Sequence, residues 1–201
     1  MTKFVSEAEC DFALNFCKTV APIFYKDEAI FNLLQNDFPG YLTAGVTKRV
    51  FILDDFDWVI KTDIWKPYCK REVENYEAAV ASGLSDYFAA TFFFIEIDGI
   101  AFYLQEKLQC SDGWGDNWSD EISHTLALAI NEEIDEDEEL YDAVLDEVDS
   151  LSDSEIIDML FHDKKLTDFI LLKDINDLHF GNFGKRDGLL VIFDFSGYGN
   201  L

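Results

Sequence analysis

Ser6, with Glu9 three residues on, precedes apolar positions at Phe12, Leu14, Phe16, Val20 and Phe24. That order of a hydroxyl, a carboxylate and a helical apolar period predicts one or two helices over residues 6–35, interrupted near Pro22. Phe38-Pro39-Gly40 then breaks the period. From Tyr41 to Ile64 the texture becomes β-branched and aromatic. Lys48–Leu53, the turn Asp54-Asp55 and Phe56–Thr62 predict a hairpin. Residues 67–82 return to helical spacing, with Val73, Tyr76, Ala79 and Val80 on one side. Two further strands follow, 90–97 and 100–106, joined by Asp98-Gly99, the strongest short hairpin signal.

The second half starts with a loop bearing Gly and Trp, residues 111–119. Leu126, Ala129 and Ile130, then Leu140, Val144, Leu145, Val148 and Leu151, keep an approximate helical period and predict helices with acidic outer faces. A last helix is expected over 153–169. Leu189–Phe193 reads as a strand, with Asp187-Gly188 turning into it. There are no internal repeats and no linker rich in Pro, Gly or Ser.

The chain has 201 residues, 49% hydrophobic and 15% aromatic, enough for a substantial interior. Its formal charge is −26, and no Lys or Arg occurs from Leu108 to Asp163. Such charge repels nucleic acid and anionic membranes and favours basic partners. Cys10, Cys17, Cys69 and Cys110 lack Cys-x-x-Cys spacing and read as reduced thiols. With no signal peptide at the start and no apolar run of membrane length, the expected location is the cytoplasm.

Phosphoryl transfer from ATP needs a cation for the phosphates and an acid to hold that cation. It also needs oxygen ligands for magnesium and a carboxylate to orient the attacking hydroxyl. Asp177-Leu178-His179-Phe180-Gly181-Asn182 sets an Asp and an Asn five residues apart, and Asp194 follows in Phe193-Asp194-Phe195-Ser196-Gly197. Trp58-Val59-Ile60-Lys61 ends an early strand, and the next helix offers Glu72, Glu74 and Glu77. These motifs together resemble the protein-kinase-like superfamily over about residues 41–198. The Asp-Leu-His-x-Gly-Asn form is closer to aminoglycoside and choline kinases, and to bacterial or phage kinase-like proteins, than to eukaryotic protein kinases.

The resemblance implies an α+β fold, a truncated two-lobed kinase-like architecture. A helical segment (1–40) would precede an N-lobe (41–108) with a small antiparallel sheet and one helix. A reduced, mostly helical and acidic C-lobe (109–201) would follow. It implies Lys61 on the phosphates and Glu72 as its partner, with Glu77 the alternative. Asp177 becomes the base, and Asn182 and Asp194 the magnesium ligands. The strand end at Gln105, Glu106 and Leu108 becomes the adenine hinge, and Thr47, with Gly40 and Gly45, stands where a phosphate-covering loop would be. The expected function is an ATP- and magnesium-dependent phosphotransferase, a protein kinase or autokinase acting on a protein. A compact, acidic chain of this kind fits a phage or bacterial origin, with host cytoplasm as its location.

There are departures. Ile175-Asn176 precedes Asp177 where His-Arg is usual, and Ser196 stands for the glycine of Asp-Phe-Gly. No Gly-x-Gly-x-x-Gly appears, and only seven residues follow Asp194, too few for a peptide-docking platform. The N-terminal helices are expected to replace that platform as packing for the lower lobe. The alternative function is an inactive kinase-like acidic protein that inhibits a basic factor or mimics nucleic acid. His124, His162 and His179 share no zinc spacing, and Asp135–Glu139 lacks the glycine of a calcium loop.

Overall fold

The computed structural model describes residues 5–44, 47–109, 163–175 and 182–196. The loop expected at 111–119, the acidic helices after it and the expected helix up to residue 162 lie outside the described residues. So do Gly45, Cys110, Asp177 and His179. The described residues up to Glu77 form one unit with Ala89–Lys107; Ala78–Phe88 and the described residues from Leu108 onward form another.

In the first unit, helix α1 (Glu7–Val20) opens on a full capping box. The Glu9 N–H donates to Ser6 Oγ at 3.3 Å, and the Ser6 N–H donates to Glu9 Oε2 at 2.7 Å. Pro22 sits at the start of a single 3-10 turn, Ala21–Ile23, since its ring cannot continue the α1 hydrogen bonds. Helix α2 (Asp27–Asn36) follows.

Five antiparallel strands come next: β1 (Gly40–Ala44), β2 (Lys48–Leu53), β3 (Trp58–Asp63), β4 (Thr91–Ile97) and β5 (Ile100–Glu106), in the order β1-β2-β3-β5-β4. Strand β1 begins inside the stretch whose Pro-Gly predicts a break. Gly40 permits it, because a Cβ there would lie 2.4 Å from the Ile52 carbonyl oxygen on the neighbouring strand. Asp98 and Gly99 both take positive φ, 53° and 78°, the geometry of a two-residue hairpin turn that matches strand twist.

Side chains alternate across the sheet, so its two faces have different contents. One carries Phe51, Leu53, Trp58, Ile60, Phe102 and Leu104, and packs against Phe16, Val20, Ile30 and Leu34 of α1 and α2. Phe16 meets Phe51 edge to face at 5.2 Å. A bulge at Phe94, between Phe93 and Ile95, lets Phe92, Phe94, Ile95 and Ile97 all pack on this core. The N-terminal helices, expected as packing for a lower lobe, belong instead to this sheet. Their apolar stripes match an outer sheet face that would otherwise be bare. The opposite face meets helix α3 (Tyr68–Ala81), where Cys69 and Val73 pack on Tyr103.

In the second unit, helix α4 (Lys164–Leu172) starts later and ends later than the 153–169 reading. Asp163 is non-helical and caps it, accepting the N–H groups of Lys165 at 3.0 Å and Leu166 at 3.2 Å. A carboxylate serving as a cap cannot sit inside a continuous helix. Strands β6 (Phe183–Arg186) and β7 (Leu189–Ile192) form a hairpin turned by Asp187 and Gly188, both with positive φ. The fold is α+β, with a small antiparallel sheet and few helices among the described residues.

Candidate functional site

Strand register decides which polar side chains share the α3 face. Val50 lies opposite Lys61 and Lys48 opposite Asp63, and Lys61 lies opposite Tyr103 on the next strand. Residues opposite each other point to the same side, so Lys48, Lys61 and Asp63 emerge on one face. Helix α3 faces them with Cys69, Glu72 and Val73, the i, i+3, i+4 spacing of one helical stripe.

Glu72 is fully buried and both its oxygens are engaged. Oε2 accepts from Lys61 Nζ at 3.1 Å, and Oε1 accepts from Lys48 Nζ. The two lysines are 3% and 4% exposed, so three charged groups stand together inside this unit. Glu74 instead meets Lys70 at 3.5 Å on the surface, and Glu77 is exposed. Removing Glu72 would leave two buried ammonium groups without their carboxylate, a break that costs about 3–5 kcal/mol. The arrangement is therefore a firmly fixed lysine cluster on a central strand.

Asp63 ties strand to helix. Its Oδ1 accepts the Cys69 N–H at 2.7 Å, fastening the first turn of α3. Burial raises its carboxyl above the ordinary 3.8, against that hydrogen bond and the nearby Lys48 charge. Burial also pushes the Tyr103 hydroxyl up to about 12 and the Cys69 thiol well above 9.0, with the Glu72 and Asp63 charges adding to the latter. Cys69 is thereby a neutral packing group, without thiolate character.

Thr47 lies at the entry to β2, half-buried, with its carbonyl accepting the Ile64 N–H at 2.9 Å. Gln105 is buried and donates through Nε2 to Thr91 Oγ1 at 2.8 Å. The Glu106 N–H donates to the Ala90 carbonyl at 2.8 Å and its Oε2 accepts the Ala90 N–H at 3.3 Å. These side chains are held in the sheet. The Lys107 and Gln109 N–H groups are paired too, with Asp57 and Lys185 carbonyls. Across 106–109 the Leu108 N–H is the one without a backbone partner among the described residues.

In the second unit the β6–β7 hairpin brings Asn182 and Asp194 to one end. The Asn182 carbonyl accepts the N–H of Phe193, the residue before Asp194, at 2.9 Å. Asn182 is buried, Asp194 half-buried, and Ser196 Oγ donates to Asp194 Oδ1 at 3.4 Å. Phe195 turns inward against Phe88 with ring centroids 5.2 Å apart. An amide oxygen and a carboxylate are hard donors of the kind magnesium takes, with water and phosphate completing its shell. No group of three His, Cys, Asp or Glu side chains fit for a metal occurs among the described residues.

Lys48 is the group that sequence reasoning missed. The signal lay in the hairpin: the register that sets Ile52 against Val59 also sets Lys48 against Asp63. Counting from that register puts Lys48 on the Lys61 face.

No protein-family model matches the sequence, and no curated protein does. Among solved structures, the streptomycin–ATP–APH(2")-IIa ternary complex is similar to this chain. Identity is 16%, coverage is 85% of this chain and 70% of the other, and the TM-score is 0.34. A likeness of that size transfers no activity to this chain.

Proposed function

We propose that the chain is an ATP- and magnesium-dependent phosphotransferase with a truncated, two-lobed kinase-like fold, acting as a protein kinase or autokinase. The observation that carries this reading is the buried Lys61–Glu72 pair, formed between the third strand of an antiparallel sheet and the helix that follows it. Phosphoryl transfer is mostly a matter of positioning and charge, and a lysine locked by a buried carboxylate supplies both.

In this reading Lys61 holds the α- and β-phosphates and Glu72 fixes its direction. The strand end at Gln105, Glu106 and Leu108 meets adenine through its backbone, and Thr47 borders the phosphates. Asn182 and Asp194 are the residues that would hold magnesium, whose chemistry is to neutralise charge on the transferring phosphoryl group. Asp177, in the segment before Asn182, accepts the proton of the attacking hydroxyl as its oxygen bonds the γ-phosphorus and the bond to ADP breaks. The cytoplasm is the proposed location.

Purified protein given magnesium and γ-labelled ATP is expected to label itself or an added basic protein. Asp177→Ala should abolish the label while leaving the fold intact by circular dichroism. Undiminished labelling in that variant removes Asp177 from the mechanism; no labelling by wild type removes the catalytic reading.

The net charge of −26 favours a second reading, an acidic binding protein on the same scaffold that captures a basic factor. There Lys61→Ala leaves function untouched, whereas charge reversal across residues 132–149 destroys it.

A further inference from the structure

We propose that Lys48 is a second cation for the phosphates of the bound nucleotide, working beside Lys61 from the other oxygen of Glu72. The proposal rests on the nucleotide reading above and adds a residue to it.

Lys48 is the first residue of β2 and follows Thr47 directly, so it stands where the chain enters the sheet. Its partner across the ladder is Asp63, two residues beyond Lys61 on the same face, making the two lysines diagonal neighbours. Each takes one oxygen of the same buried carboxylate.

A lysine that only oriented a helix would be satisfied by one carboxylate, and that carboxylate by one lysine. A second buried ammonium adds desolvation cost and repels the first at close range. Asp63, directly across the ladder from Lys48, directs Oδ1 to the Cys69 N–H at the start of α3. Buried charged clusters occur at functional sites as well as in structural ion-pair networks. Here the cost has a chemical counterpart. A nucleotide triphosphate presents negative charge on successive phosphoryl groups. Two compact ammonium groups spread across one carboxylate offer a matching pair of point charges, the form in which lysine binds phosphate. Glu72 then acts as a common anchor, keeping both amines extended toward the same ligand.

The test separates charge from scaffolding. The full chain with magnesium is titrated calorimetrically with ATP and, separately, with adenosine, which lacks the phosphates. Lys48→Met and Lys48→Gln should weaken ATP binding about tenfold or more, a difference of one decade in Kd. Adenosine affinity should stay at the wild-type value, and Lys48→Arg should keep most of the ATP affinity. Where Lys48→Met fails to fold, the Gln and Arg variants, which keep a polar end group, carry the comparison.

Lys48→Gln binding ATP as wild type does, or losing adenosine and ATP in equal measure, overturns the proposal and makes Lys48 a strut for Glu72. If Lys61→Met loses ATP while Lys48→Gln keeps it, the proposal falls and the phosphotransferase reading stands. If wild type binds no ATP, both fall.

Discussion

The two faces of the five-stranded sheet are made of the same strands and do opposite things. Toward α1 and α2 it presents Phe51, Trp58, Ile60, Phe102 and Leu104, an apolar surface interlocked with the helices. Toward α3 it presents two lysines and an aspartate, with a small apolar contact of Cys69, Val73 and Tyr103 beside them. Stability comes mainly from the first face, since apolar burial yields free energy with no desolvation debt. The second spends part of it to hold charge in a fixed position. A sheet clamped on one side can tolerate an electrostatic cluster on the other.

The comparison breaks most visibly at Phe51. Its ring is fully buried and packs on Phe16, so Phe51→Ala is expected to destabilise the protein by about 3–5 kcal/mol in urea unfolding. Nucleotide affinity of the molecules that remain folded should not change. A parallel loss of affinity at unchanged folded fraction would mean the two faces are not separate in function.

Lys61→Met probes the other face with the effects reversed. Glu72 keeps Lys48 as a partner, so the stability loss should stay below that of Phe51→Ala, while the rate of phosphoryl transfer falls about 10²-fold or more. A variant that unfolds as readily as Phe51→Ala while retaining activity would assign Lys61 to architecture.

The smallest expected effect is on pH, and two aspartates give it opposite signs. Asp163 accepts from the Tyr87 hydroxyl at 2.6 Å, which, with its capping bonds, holds its carboxyl below 3.8. A lowered group stabilises the fold above its unfolded value and loses that contribution as pH falls through the folded one, so the effect lies below about pH 4. Asp63 is raised by burial, and its contribution fades as pH climbs from 3.8 through its folded value. Acid unfolding of Asp163→Asn should therefore lose part of the wild-type steepness below pH 4, and Asp63→Asn should lose a component above it. Identical curves for both variants would contradict these directions.

Much of the sheet unit was legible in the chain. The hairpin after Lys48, the helix at 67–82 and the strands flanking Asp98-Gly99 fall within two residues of where periodicity puts them. These segments carry their signals locally, in β-branched runs, a helical stripe and an Asp-Gly turn. Strand β1 was not legible, because Pro39-Gly40 reads as a breaker, and only the approach of β2 turns Gly40 into a strand residue. The helix expected across Asp163 failed for a similar reason: the capping role of that carboxylate is reinforced by Tyr87, distant in sequence. β6 was hidden too, since Phe183–Arg186 is short and half polar and is defined by pairing with β7. Of the site, the pairing of Lys61 with Glu72 was anticipated by the kinase-like resemblance of their strand and helix, and the two side chains meet at 3.1 Å. Lys48 looked like a polar residue at a strand start, and its meaning comes from cross-strand register.

The hydrogen bond from the Cys69 N–H to Asp63 has a mechanical consequence. It staples the beginning of α3 to the end of β3, so the helix has a fulcrum one turn away from Glu72. A displacement that separates Glu72 from Lys61 while this staple holds has to be a swivel about that point, with the far end of the helix travelling furthest. Outward sliding of the whole helix would first have to open the staple.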